Sequence, residues 1–348
     1  MKDFDVMIGK NQYMKLILLI FTLIFAASFT FLSPKGKSIY QSPDLDKLMV
    51  YVPNMSFSYR EADTLIMDYS LPNTYSMKEF YMFPYEVSNG QYLEYLNDLK
   101  LNNDTTWKKA LPDSLVWVEP LAYNEPYVKY YLRHPAYRDY PLVGVTQNQC
   151  IRYCEWLTKK YNSTEKRKHK KVKFRLPTKY EWYAAAVYRK AEKGKSKDIK
   201  DFSIYDDSFF PWDGTYLRNN DGKPRANYMQ LDETSIHREY DSVMSIYGRK
   251  SIRLRYVAET GSYMGVAGSL NDANDITAPV SSYWPNDLGI YNMAGNVEEF
   301  VSEYGITKGG SWQDPGYYLR NTVIETYQAK NEATSSRGFR FVMEIVEE

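Results

Sequence analysis

Thiols and imidazoles are scarce in this chain, whose 348 residues include 2 Cys and 3 His. Two thiols build neither a disulfide framework nor a four-thiolate zinc site, so stability has to come from packing. The histidines, His134, His169 and His237, are scattered, and none stands at a nucleophile–base or metal-ligand spacing. Net charge is lacking too. With 44 Lys+Arg against 43 Asp+Glu there is no global field to hold a phosphate backbone, so nucleic acid is not an expected partner. No βαβ alternation and no repeat of fixed period is visible. Long apolar runs are absent except for one, residues 16–27, LILLIFTLIFAA.

That run follows Lys10 and Lys15 and precedes Ser33-Pro34-Lys35, the layout of a secretory signal. Met14 offers a second start with Lys15 as its basic n-region, and Ala26 and Ser28 suit cleavage before Phe29. The other reading is an uncleaved anchor, because apolar character continues through Leu32 toward the length of a membrane helix. The breakers just beyond favour cleavage. The expected organisation is a signal peptide or signal anchor over 1–33, a polar linker over 34–47, and one domain over 48–348, exported in either case.

What the chain has in abundance is aromatic rings: 34 Tyr, 15 Phe and 7 Trp, which suit an irregular interior better than a bundle of aliphatic helices. Residues 48–53 read as an opening strand. Ser88 to Gln91, Thr146 to Gln149 and Thr178 to Glu181 each carry the residues of a capping box and stand before an apolar-periodic stretch, predicting three helix starts. The second stretch holds both thiols, Cys150 and Cys154, at i,i+4 on its apolar face, where they read as core packing. Basic stretches over 159–173 and 189–200 read as solvated loops. The polar segment 232–256 reads as a surface excursion, and the Tyr-rich segment 123–140 as either a contact surface or core filling. Elsewhere short strands and Gly/Pro/Asn/Asp turns predict an α+β, irregular, loop-rich single domain.

Six ordered blocks resemble the formylglycine-generating enzyme, or sulfatase-modifying factor, family. They are residues 80–92 (FYMFPYEVSNGQY), 140–157 (YPLVGVT to YCEWL), 175–182 (RLPTKYEW) with 210–214 (FPWDG), 285–300 (PNDLGIYNMAGNVEEF), 308–312 (KGGSW) and 337–340 (RGFR). The resemblance covers about residues 48–343 and implies a C-type-lectin-like topology. A narrower resemblance, to the GldJ and GldK lipoproteins of gliding motility and type IX secretion in Bacteroidota, rests on 110–117 (ALPDSLVW), Tyr123-Asn124-Glu125 and 131–137 (YLRHPAY). The chain departs from those lipoproteins in having no cysteine near the apolar run and only a short span between Tyr304 and Lys308. The implied setting is the periplasm or cell envelope of a Gram-negative bacterium, the implied partners are protein components of an envelope secretion or motility complex, and an uncleaved N-terminal segment would add membrane association.

The family's enzymes hold copper(I) through two cysteines after the GGS turn, positions that fall here on Asp314 and Leu319. A carboxylate and an isobutyl group offer no soft two-coordinate site, so no copper is expected. The family's tryptophan before the second carboxylate of the 285–300 block is Glu298 here. The resemblance thus implies a pseudoenzyme with degenerate positions Asp314, Leu319, Ser311 and Glu298. It also implies structural calcium at two turns: Asn292, the carbonyls of Gly295 and Val297, and Glu299; then Asn227, the Tyr228 carbonyl, Asp272 and the Asn274 carbonyl. The competing reading of these residues is ordinary turn chemistry. Arg175 and Arg340 read as internal fork donors. The rival functions are an enzyme using Ser311, Asp314 and Glu298 as an acid–base group, and a lectin-like ligand binder.

Overall fold

Lys171–Arg175 alternates cationic and apolar residues, and in the computed structural model it is strand β5, with Val172 and Phe174 buried and Lys171 and Lys173 exposed. The structure describes residues 44–59, 73–118, 124–189, 209–229, 236–244, 250–258 and 276–347. The expected signal segment, the basic stretch beyond 189, Asp272 and Asn274 lie outside them. Among the described residues no helix is long and apolar enough to cross a membrane.

The first element, helix α1 (Asp44–Leu48), begins within the span read as a linker. Leu45 is fully buried, and Asp46 accepts from the Tyr161 hydroxyl at 2.7 Å and from the Lys168 N–H at 3.1 Å. The polar composition of 34–47 concealed one apolar anchor and a buried-side acceptor. Strands β1 (Val50–Val52) and β4 (Phe80–Met82) then pair antiparallel, and the C-terminal strand β12 (Val342–Glu347) joins β4 on one side and β5 on the other. The resulting order, β1-β4-β12-β5, ties both ends of the domain into one sheet. Between β1 and β4 lies a hairpin of β2 (Met55–Tyr59) and β3 (Asn73–Met77), whose Phe57 and Tyr59 pack on Tyr183.

All three predicted capping boxes form. Ser88 opens α2 (Asn89–Leu101), Thr146 opens α4 (Gln147–Ser163) and Thr178 opens α5 (Lys179–Val187), each with the reciprocal pair of bonds to its third helical residue. Such caps contribute about 1 kcal/mol each. A short helix, α3 (Glu125–Tyr130), lies between the first two. On α4 the buried positions Cys150, Tyr153, Cys154, Leu157 and Tyr161 follow the helical period, so the thiols face the core as expected. Helix α5 is buried from Trp182 through Val187, its alanines allowing close approach on every side. Arg175 at the end of β5 forks onto both oxygens of the capping-box Glu181, at 2.7 Å each, and also reaches Glu344 on β12.

Two segments left loosely defined by the sequence take a definite form. The supposed excursion contains a regular hairpin, β6 (Ile236–Met244) with β7 (Lys250–Ala258), in register from Ile236↔Ala258 to Met244↔Lys250. Its alternation of Ile252, Leu254 and Tyr256 with Ser251, Arg253 and Arg255 was the overlooked signal. The described part of the Tyr-rich segment is core filling: Tyr131 is buried against Trp117 at a 4.6 Å centroid separation, and Tyr127, Tyr137 and Tyr140 pack around the same cluster. Only Tyr130 among these rings stands well exposed. A second sheet, ordered β10-β9-β8-β11, is built from β8 (Glu298–Phe300), β9 (Ile306–Lys308), β10 (Ile324–Thr326) and β11 (Arg337–Gly338), with β11 parallel to β8. It carries the carboxylates of the candidate site.

Candidate functional site

Residues 285–300 wind through a turn that only small or amide side chains tolerate. Asn292 and Asn296 have φ of 49° and 66°, and Gly295 has φ of 75° with no room for a side chain, since a Cβ there would stand 2.3 Å from the Asn227 carbonyl oxygen. The turn is held from inside by charge. Glu299, fully buried on β8, accepts from Arg340 Nε at 2.7 Å and Nη2 at 2.5 Å, and from Trp182 Nε1 at 2.8 Å. Arg340 also donates to the carbonyls of Pro84, Tyr291 and Asn292, so one guanidinium closes three chain segments. Glu86, missed by the sequence reading, accepts from the side-chain amides of Asn292 and Asn296 at 3.0 and 2.8 Å. Burial pushes the Glu86 carboxyl up to about 8 against the pull of Arg340.

This arrangement tests the first expected calcium turn. The Glu299 carboxylate already carries three donors and a full positive charge, and Asn292 directs its amide nitrogen to Glu86. As they stand, Asn292, Gly295, Val297 and Glu299 do not fit a divalent cation. At the second turn Asn227 spends its amide nitrogen on the Ile276 carbonyl at 2.8 Å, while its Oδ1 is buried with no hydrogen-bond partner. An orphaned amide oxygen is the donor type calcium takes, so Asn227 fits that expectation, and Tyr228 follows it in the same loop. Among the described residues no group of three or more His, Cys, Asp or Glu side chains is placed to hold a metal ion.

Ser311, Asp314 and Glu298 lie around the start of β8. Gly309 and Gly310, with φ of 98° and 65°, let the chain reverse into Ser311, whose N–H and hydroxyl both donate to Asp314 Oδ2. Glu298 is buried, ion-paired to Arg337 Nη2 at 2.7 Å, and accepts from the Thr307 hydroxyl. A third carboxyl, Glu325 on β10, was not foreseen; its Oε1 is buried and without a hydrogen-bond partner. Burial, reinforced by Glu298 and Asp314, pushes Glu325 up to about 9, and burial likewise raises Glu298 and Asp314. Three carboxyls around the single guanidinium of Arg337 hold at least one proton at neutral pH. Ser311, Asp314 and Glu298 are thus brought together, as the acid–base reading requires.

Leu319 is not part of that polar group. It is fully buried in an apolar cluster with Phe210, Ala226, Tyr228 and Ala294, beneath the Gly310 turn. The two thiols are free and buried on α4; burial pushes both far up, with Cys150 close to Tyr92 and Glu332 and Cys154 close to Arg175. Lys308, also unforeseen, is buried on β9 and donates to the carbonyls of Asn321 and Val323 while facing Trp182. Beside the 285–300 turn opens a cavity of 410 Å³ whose walls include Trp212, Arg225 and Trp284.

Residues 40–345 match the family described as Sulfatase-modifying factor enzyme 1-like domain. No curated protein matches the chain. Among solved structures, PvdO from Pseudomonas aeruginosa is 19% identical over 85% of this chain and 94% of its own, with a TM-score of 0.47. Treponema denticola variable protein 1 is 16% identical over 84% of this chain and 94% of its own, with a TM-score of 0.46. CarF is 15% identical over 86% and 98% respectively, with a TM-score of 0.46.

Proposed function

The chain belongs to the sulfatase-modifying factor enzyme 1-like domain family, and from that premise we propose that it is a non-catalytic member, an exported envelope protein that serves as an interaction or assembly component of a type IX secretion or gliding apparatus. The observation that carries the non-catalytic reading is the fate of the two copper positions. One is Leu319, sealed in an apolar cluster, and the other is Asp314, committed to the Ser311 turn. Soft thiolates are what select copper(I), and the chain's own thiols are buried on a helix among ring and aliphatic neighbours. The secretion or motility assignment rests on the residue 110–117 and 131–137 segments; within them Trp117 and Tyr131 are core side chains, which makes those stretches part of the scaffold. Affinity isolation from native membranes tests the assignment: envelope secretion or motility subunits are expected among the bound proteins, and recovery as a lone soluble monomer contradicts it.

Calcium is carried forward as part of the proposal at the Asn227 turn alone, supported by its orphaned Oδ1. A structural ion there would pin a loop that lacks a regular ladder. Chelation is expected to lower the thermal midpoint of the wild-type chain and leave an Asn227→Ala variant unmoved; equal shifts in both contradict it.

A second reading has its own observation, the convergence of Ser311, Asp314 and Glu298 with Glu325 and Arg337. An enzyme of altered chemistry would use the protonated carboxyl as a general acid. No imidazole joins the group among the described residues: His134 caps a short turn and His169 packs beside Tyr81. An activity lost in Asp314→Asn, with the fold intact, would establish this reading over the first.

A further inference from the structure

We propose that the cavity beside Trp212 is a binding site for a small carboxylate whose ring or apolar body stacks on tryptophan. The cavity measures 410 Å³, within the range of about 300–1,000 Å³ usual for small-ligand sites, and its walls include Trp212, Arg225, Tyr283, Trp284 and Asp287.

Arg225 points to the ligand's charge. Its Nε is buried without a hydrogen-bond partner, no acid or carbonyl among the described residues accepts from its guanidinium, and the face of Trp212 lies 5.9 Å away. Elsewhere in the domain Arg340 is matched with Glu299, Arg337 with Glu298, and Arg189 with Asp213. Asp213, an acid on the same cavity wall, is engaged by Arg189 at 3.0 Å and turned outward. Arg225 is half-buried, with its terminal nitrogens open to the cavity, and its planar fork matches a carboxylate.

The aromatic walls point to the rest of the ligand. Trp212 is a fixed platform: it stacks on Phe210 at 5.0 Å and donates Nε1 to the Tyr216 carbonyl at 3.0 Å, while Arg189 ties the same loop to the end of α5 through the Phe210 and Ala186 carbonyls. Trp284 is 55% exposed at the mouth. It follows Tyr283, a non-glycine residue at φ of 62°, so the turn presenting these rings is held in the left-handed region. Ring stacking with one charge-assisted fork is how such a site would hold an acidic sugar or the terminal carboxylate of a peptide.

Intrinsic tryptophan fluorescence and calorimetry on the intact chain separate the sources with two matched pairs: D-glucuronate against D-glucose, and acetyl-Gly-Phe acid against its amide. In at least one pair the acid is expected to bind about tenfold or more tighter than its neutral partner, the value of one charge-assisted fork. The pair that responds names the source, glycan acid or peptide terminus. Arg225→Gln should abolish the preference, Arg225→Lys should retain part of it, and Trp284→Ala should weaken acid and neutral forms alike. The proposal is overturned if neither acid saturates at millimolar concentration, or if Arg225→Gln, unfolding at the wild-type temperature, keeps the preference.

Discussion

Arg340→Met removes a fully buried guanidinium that serves both oxygens of Glu299 and the carbonyls of Pro84, Tyr291 and Asn292. Removing one partner of a buried ion pair costs about 3–5 kcal/mol, because the remaining charge is left without compensation. Orphaned carbonyls add to that, at about 1 kcal/mol or more each where no water reaches them. Trp182 still donates to Glu299, which moderates the loss, so the expected cost is about 4–6 kcal/mol. Arg340→Lys keeps the charge but cannot span five acceptors, and should cost about 2–3 kcal/mol. The double variant Arg340→Met/Glu299→Leu should lose less than the sum of its single variants by about 1.5 kcal/mol or more, since it removes the stranded charge. Urea unfolding reads these values as midpoint shifts at constant slope; with a slope of about 3 kcal/mol/M, Arg340→Met moves the midpoint by roughly 1.5 M. A shift under about 1 kcal/mol would refute the reasoning, and so would rescue of the variant by millimolar calcium, which would show that Glu299 takes a metal.

Glu325 gives a pH prediction of definite sign. Its folded value, about 9, lies above the ordinary 4.5, so its contribution to stability is complete below about pH 4.5 and is lost as pH rises toward 9. Glu325→Gln should therefore flatten the fall in thermal midpoint between pH 5 and pH 9, and parallel curves for the two chains contradict this. Leu319→Ala should destabilise by about 2–5 kcal/mol in chemical unfolding, the cost of a cavity in a packed apolar cluster, and a loss below about 1 kcal/mol would show that the position is not sealed. Gly310→Ala forces a Cβ to 2.9 Å from the Tyr318 carbonyl carbon at φ of 65°, so it should cost more than about 1 kcal/mol by the same measurement. Cys150 and Cys154 should react with a thiol reagent only at the rate of global unfolding, and fast labelling of the native chain would contradict their burial.

Local chemistry was legible where a side chain acts on its own neighbourhood. Ser88, Thr146 and Thr178 announced their helices because capping is completed within four residues, and the period of Cys150, Tyr153, Cys154 and Leu157 showed which face of α4 is buried. Arg175 and Arg340 were legible as fork donors, since a guanidinium amid apolar neighbours needs internal acceptors. Convergence over long sequence distances was not. Glu86 meets Asn296 across 210 residues, and Glu325 joins Glu298 from a strand whose own sequence, IET, carries no sign of a buried acid. The same limit hid the competition for Glu299: its oxygen-donor pattern suits calcium in one dimension, while Arg340 and Trp182 occupy it in three. Helix α1 and the β6–β7 hairpin were missed because polar composition outweighed one apolar anchor in the first and a period-two alternation in the second.

The proposed non-catalytic role requires that the chain hold no copper(I) at Asp314 and Leu319. Anaerobic titration of the purified chain with copper(I) against a competing chelator, followed by oxygen uptake with a thiol-bearing peptide, tests it directly. The account predicts no more copper retained than by the Cys150→Ser/Cys154→Ser variant, and oxygen uptake at the blank rate. One equivalent of tightly held copper together with peptide-dependent oxygen consumption would contradict it.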